Sequence, residues 1–196
     1  MASRSSRLAF LAPVVFLIIA AALFSEQGVP LPSFEKRWSI GVYAGGSPLT
    51  LSPAASEPVF TADRVSDIPA RFVADPFLVR DGGAWHMFFE AFNAASSQGD
   101  IGWATSPDAM HWTYQRIVLD EPFHLAYPYV FRADDAYYMV PDNGTDAVRL
   151  YRADPFPSRW RFVADLVRGG AVIDPSVVYH DRGGGCSPAV PVMPPL

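Results

Sequence analysis

Three observations predict an all-β fold assembled from β-propeller blades. Between Trp38 and Asp181, runs rich in Val, Phe, Tyr and Trp alternate with Gly, Asp, Asn and Pro turns. No segment there longer than ten residues shows a clean helical period. The third observation is a repeat. VADPFLVRDGGAWHMFFE (Val73 to Glu90) set over LAYPYVFRADDAYYMVPD (Leu125 to Asp142) gives five identities in eighteen positions, and VIDPSVVYHD (Val172 to Asp181) starts a third copy. The equivalent positions Asp75, Tyr127 and Asp174 lie 52 and then 47 residues apart. A period near fifty in all-β material is the spacing of propeller blades.

Each element of a blade has its own local reason. The inner strand opens at Asp75-Pro76, Tyr127-Pro128 or Asp174-Pro175, and a proline, lacking an N–H, is tolerated where a strand starts. Asp81-Gly82-Gly83 and Asp134-Asp135 supply the turn to the second strand. Two outer strands follow in GDIGWATSPDAMHWTYQRIVL and DAVRLYRADPFPSRWRFVADL, with Trp112 and Trp160 in corresponding places. Phe88, Phe89, Trp103, Tyr137 and Tyr151 read as the apolar packing between sheets. DNGTD, Asp142 to Asp146, reads as an Asn-Gly hairpin turn rather than a calcium loop. Its Asn143-Gly144-Thr145 is also a glycosylation sequon.

Arg4 and Arg7 precede seventeen uncharged, mostly apolar residues, Leu8 to Phe24. That pattern is an export signal, read as a cleaved signal peptide or a retained anchor helix over residues 1–26. The positive flank places the N-terminus in the cytoplasm and the rest of the chain across the membrane, secreted or membrane-anchored. Residues 27–37 form a linker, 38–181 the incomplete propeller, and 182–196 an irregular Gly/Pro-rich tail.

Composition excludes several functions. A net charge of -5 without a basic block argues against nucleic acid as a partner. A single cysteine, Cys186, precludes an intrachain disulfide, and four scattered histidines offer no zinc spacing. No metal or other cofactor is therefore expected.

VADPFL, WHMFFEAFN, GWATSPDAMHW, EPFHLAYPYVF, YYMVPD, VRLYRA and IDPSVV, in that order, resemble the five-bladed propeller domain on the N-terminal side of glucosamine inositolphosphorylceramide transferases and related bacterial proteins. The likeness spans Trp38 to Asp181, and more distantly the chain is similar to glycoside hydrolase family 43. The resemblance implies a partial five-bladed β-propeller, about two complete four-stranded blades plus pieces, preceded by the apolar helix. It implies carbohydrate or glycolipid as the ligand and a glycosyltransferase as partner, while the apolar run from Leu8 to Phe24 supplies the contact with a membrane. In the plant transferases the sugar transfer belongs to a separate domain that this chain is too short to contain.

Family 43 hydrolases place three acids near the inner ends of successive blades, a layout that lets two carboxyl groups flank a sugar. On that resemblance Asp75 falls at the general base, and Tyr127 replaces the second acid. Asp174 opens the third blade near the place of the proton donor. Asp75, Asp174 and Glu90 are the candidate catalytic acids, and His124, Tyr127, Asp142 and Asn93 the candidate substrate-binding residues. The alternative for the Asp-Pro corners is purely structural, an aspartate accepting backbone N–H groups at a strand start. Two functions stay open: a carbohydrate-active propeller, and a non-catalytic sugar-binding or scaffolding module associated with a glycosyltransferase.

After Asp181 the chain reads RGGGCSPAVPVMPPL, with three glycines in a row and four prolines in the last nine residues. The sequence predicts no partner strand there, and a truncated, inactive fragment whose reading frame shifted near Asp181. An open half-propeller would expose a sheet face and favour association.

Overall fold

A computed structural model describes residues 38–170, 172–181 and 186–189. The predicted apolar helix and linker lie outside these residues. No helix among the described residues is long and apolar enough to cross a membrane.

The described chain is all-β apart from one 3-10 turn at Ala62–Arg64. Two short strands, β1 (Tyr43–Ala44) and β2 (Ser52–Pro53), precede it. Two four-stranded antiparallel sheets follow. Blade I runs β3 (Ala70–Asp81), β4 (Ala84–Asn93), β5 (Gln98–Ser106) and β6 (Thr113–Leu119). Blade II runs β7 (Ala126–Ala133), β8 (Ala136–Asp142), β9 (Ala147–Ala153) and β10 (Trp160–Arg168). In both, spatial order equals chain order, as short hairpin connections dictate. Asp81 pairs with Ala84 across Gly82 and Gly83, whose φ values of 56° and 85° suit a primed hairpin turn. Ala133 pairs with Ala136 in the same way across Asp134 and Asp135.

Strand alternation gives each sheet two apolar faces. On blade I, Met87, Phe89, Ala91 and Ala104 face one way and pack on Ile40, Val59, Phe60 and Val65. Phe88 and Ile101 face the other way and meet Met139, Tyr151 and Trp160 of blade II. Met87 and Met139 are repeat equivalents, as are Trp112 and Trp160. Residues 38–69 therefore hold the same place against blade I that blade I holds against blade II. Pairing in this stretch is short, Ile40 with Phe60 and Tyr43–Ala44 with Ser52–Pro53.

The two tryptophans repeat a device as well as a place. Trp112 Nε1 donates to the Ala109 carbonyl at 3.0 Å and Trp160 Nε1 to the Pro157 carbonyl at 3.1 Å, so each buried indole satisfies its N–H within its own turn. Within blade II, Tyr137 stacks on Phe156 at 3.8 Å between ring centroids, and across the blades its hydroxyl donates to Asp81 Oδ1 at 2.9 Å. Replacing Tyr137 by Phe keeps the stack and removes the bond, so the expected loss is about 1 kcal/mol. Urea unfolding of the full chain measures it. An unchanged midpoint would show that the bond contributes nothing to blade docking.

The tail departs from expectation. β11 (Val178–Asp181) pairs antiparallel with β12 (Cys186–Ala189), in the register Val178↔Ala189 to Asp181↔Cys186. The stretch predicted to be strandless and irregular thus supplies the partner strand of the third copy. In a two-stranded sheet every strand is an edge, and an edge accommodates a residue without an N–H, here Pro188 opposite Tyr179.

Candidate functional site

The inner strands carry a conserved irregularity between blades. On β3, Ala74 pairs with Glu90 and Phe77 with Phe88, three residues of advance against two. On β7, Ala126 pairs with Asp142 and Tyr129 with Val140, the same count. Each is a β-bulge, and the extra residues are Asp75-Pro76 and Tyr127-Pro128. Asp75, Tyr127 and Asp174 have φ values of 50°, 45° and 52°. Aspartate tolerates this left-handed region, whereas a bulky tyrosine there is an outlier that packing must hold. Tyr127 is held by an edge-on contact with Phe77 at 4.8 Å and by its hydroxyl, 3.3 Å from Ser176 Oγ.

The bulge turns each corner N–H toward a carboxylate. Tyr127 N–H donates to Asp75 Oδ2 at 3.3 Å, and Asp174 N–H donates to Asp142 Oδ2 at 3.3 Å. The two junctions differ for a chemical reason. At the first, the corner aspartate of the preceding blade takes the N–H. At the second, the preceding corner is Tyr127, which has no carboxylate, and Asp142 serves instead. Glu90, the blade I equivalent of Asp142, is left with no hydrogen-bond donor among the described residues.

Glu90 is 6% exposed. Burial, reinforced by the nearby charges of Asp75 and Asp142, pushes its carboxyl up to about 7. Asp174 is also raised, by desolvation first and then by Asp142 and Asp75. Each raised acid feels both other aspartates, so Asp75, Glu90, Asp142 and Asp174 form one carboxylate cluster. It is graded in depth, with Glu90 buried, Asp75 and Asp142 half-buried and Asp174 exposed.

His124 stands beside this cluster on the connection from β6 to β7. Its Nδ1 accepts the Gly99 N–H at 2.8 Å, which in the neutral ring leaves the proton on Nε2. Nε2 lies 3.7 Å from Glu90 Oε1. Gly99 makes this approach possible, because a Cβ there would sit 2.3 Å from the Leu125 carbonyl oxygen and 2.8 Å from Glu90 Oε1. Sequence reasoning passed over Gly99. An isolated glycine inside a strand pattern, a mark of close backbone approach, was its available signal.

Of the seven residues singled out from the sequence, Asp75, Glu90, Asp142 and Asp174 come together, with His124 against Glu90 and Tyr127 at the corner between them. Asn93 does not join them. It is three residues from Glu90 along β4, hence on the opposite face. Its Nδ2 donates to Asp100 Oδ2 at 3.0 Å and its Oδ1 accepts the Ala95 N–H at 3.0 Å, closing the β4–β5 turn. Asn143 is likewise occupied: it is 4% exposed and donates to the Ala147 carbonyl at 2.9 Å, so the sequon is closed to a glycan in this fold. Among the described residues no three His, Cys, Asp or Glu side chains converge to hold a metal ion.

Four-stranded sheets packed face to face, with inner strands opening on acid-lined corners, define a β-propeller-like domain. The β-fructofuranosidase of Bombyx mori, a GH32 protein, superposes with a TM-score of 0.51 over 67% of this chain and 32% of its own, at 12% identity, a likeness of fold. The chain belongs to the family of the N-terminal domain of glucosamine inositolphosphorylceramide transferase 1, whose family model matches residues 32–183. Glucosamine inositolphosphorylceramide transferase 1 of Oryza sativa subsp. indica is 39% identical over 169 residues, 77% of this chain and 23% of the rice protein. Its Arabidopsis thaliana counterpart is 35% identical over 165 residues, 75% of this chain and 21% of that protein. The chain thus spans less than a quarter of the length of these relatives.

Proposed function

We propose that this chain is a carbohydrate-binding domain of the five-bladed propeller type, which holds a glycan or glycolipid headgroup at the Asp75, Glu90, Asp142 and Asp174 cluster. The observation that carries the proposal is the cluster itself. Four acids from three repeats meet at the inner corners, and the deepest of them accepts no hydrogen bond among the described residues. Carboxylates so placed accept sugar hydroxyl donors. The names of the rice and Arabidopsis relatives support a glycolipid setting and a glycosyltransferase as companion. The apolar run from Leu8 to Phe24 supports a location on the non-cytoplasmic side of a membrane.

Titration of the full chain against a glycan panel, read by tryptophan fluorescence, tests this reading. Asp75→Asn and Asp142→Asn are each expected to weaken the best ligand at least about tenfold while thermal unfolding stays close to that of the parent, in line with loss of a charge-assisted hydrogen bond. Undiminished binding in both variants would remove the cluster from the site.

One observation favours a second reading, glycoside hydrolysis. A carboxyl near 7 is half protonated at neutral pH, as a general acid requires, and Asp75 lies near it as a candidate base. Turnover of aryl glycosides that disappears in both Glu90→Gln and Asp75→Asn would establish hydrolysis. Binding without turnover would assign the cluster to recognition alone.

A further inference from the structure

We infer that the hairpin of β1 and β2 is a membrane-inserting wedge, a second contact with the bilayer besides the apolar run from Leu8 to Phe24. This rests on the reading of that run as a membrane segment and is independent of the carbohydrate site. Four of the ten large apolar side chains exposed among the described residues, Trp38, Tyr43, Leu49 and Leu51, fall within one short stretch. Single exposed apolar residues are ordinary, whereas a concentration of them marks an interaction surface. No residue from Trp38 to Ser56 is charged, in a chain that is 18% charged. Charge is what ordinarily keeps a projecting hairpin soluble, and this one carries none.

The hairpin is built to project. Its base is pinned by buried Ile40, Val59 and Phe60, which pack on blade I, while every residue from Tyr43 to Pro58 is exposed. Leu49, at the tip, is 95% exposed. The tip is also ordered by its own polar groups: Thr50 N–H donates to the Ser47 carbonyl at 3.1 Å and Leu49 N–H to Ser47 Oγ at 3.3 Å. Gly45 permits the closure, because a Cβ there would collide with the Thr50 carbonyl. Amide groups already paired within the turn lower the cost of carrying it out of water.

The occupant follows from what lies upstream. Thirteen residues separate Phe24 from Trp38, and fully extended they reach about 45 Å. Such a tether keeps the hairpin at high effective concentration over the bilayer that holds the apolar run, so two leucines suffice where an untethered domain would need more. Tryptophan and tyrosine suit the headgroup level, and leucine the acyl boundary beneath it. A protein partner is ordinarily set in register by charges, which the hairpin lacks and a bilayer does not require.

Depth measurement on the full chain tests the wedge. In a Cys186→Ser background, an environment-sensitive probe is attached at Leu49→Cys or, as control, at Asp135→Cys on the exposed β7–β8 turn. Each protein is incorporated into phosphatidylcholine vesicles and recovered by flotation. The Leu49 probe is expected to shift to the blue and to be quenched by lipids brominated high in the acyl chain, equally at low and high salt, because the contact is apolar. The Asp135 probe should stay water-exposed. A probe at Thr50→Cys should be quenched likewise and lose that quenching when Leu49 and Leu51 are both replaced by Ser, with circular dichroism verifying the fold. A water-exposed Leu49 probe on floated vesicles would overturn the wedge and leave the anchor standing, and failure to float would overturn both. Equal quenching at Leu49 and Asp135 would overturn it as well, since no particular hairpin would then be inserted. A blue shift that grows with protein density, without quenching by lipid, would overturn it in favour of a second copy of the chain.

Discussion

Replacing Glu90 by Gln is expected to make the chain more stable above pH 7 and to leave it nearly unchanged near pH 4. The carboxyl has an ordinary value of 4.5 in the unfolded chain and about 7 in the folded one. Below 4.5 it is protonated in both states and contributes no pH dependence. Between 4.5 and about 7 the unfolded chain releases the proton while the folded chain retains it, so stability falls as pH rises. Above about 7 the loss is complete, on the order of 3 kcal/mol. Gln is isosteric and uncharged, and the variant does not incur this loss. Urea unfolding at several pH values, as a difference between parent and variant, isolates Glu90 from the other titrating groups. Parallel curves for the two proteins would show that Glu90 is solvated or paired in solution.

Gly99→Ala is expected to cost about 3 kcal/mol, the upper end of ordinary overpacking. The added Cβ would meet the Leu125 carbonyl oxygen at 2.3 Å, Glu90 Oε1 at 2.8 Å and His124 Cε1 at 2.9 Å. Two of these are side-chain atoms that can retreat. The carbonyl is backbone, and it also accepts no relief from a rotamer change, so the strand and the β6–β7 connection must separate. Leu125 N–H donates to the Gly99 carbonyl at 2.8 Å, and that bond would be strained together with the one from Gly99 to His124. Gly41→Ala is the matched control, since a Cβ there meets nothing within 4 Å, and its effect should stay within about 0.5 kcal/mol. A melting temperature for Gly99→Ala equal to that of the control would mean that His124 does not sit over Gly99.

The repeat was legible because its signals are local. Asp81-Gly82-Gly83 encodes a hairpin through backbone conformations that glycine adopts freely, and period-2 alternation sends Phe88 and Phe89 to opposite faces wherever the strand lies. Trp112 and Trp160 were placed as equivalents from spacing alone, and they occupy equivalent turns. The misreadings come from contacts that spacing does not encode. The chain from Trp38 forms only short ladders, Ile40 with Phe60 and Tyr43–Ala44 with Ser52–Pro53, and otherwise packs on a face of blade I. Pro188 and its neighbours look unable to pair until the sheet that receives them proves to have only two strands.

The candidate site divides along the same line. The acids at inner corners were visible as a pattern, Asp-Pro recurring with the blade period. That Asn93 leaves the group follows from counting along β4 once the strand is known to be continuous through it. That Glu90 accepts no hydrogen bond among the described residues has no local signature. It arises because Tyr127 N–H is taken by Asp75, and because a tyrosine at the second corner hands the next N–H to Asp142.

Composition, turn chemistry and hydrophobic period determined by themselves that this chain forms strands in repeating groups of four, each opening at an Asp-Pro or Tyr-Pro corner, since each of those properties is settled within a few neighbouring residues. Which acids face one another, which one is left without a donor, and how far burial shifts its proton were decided only when bulges and packed sheets brought together residues some thirty to a hundred positions apart. Those quantities depend on distance and desolvation, and both exist only in the folded chain.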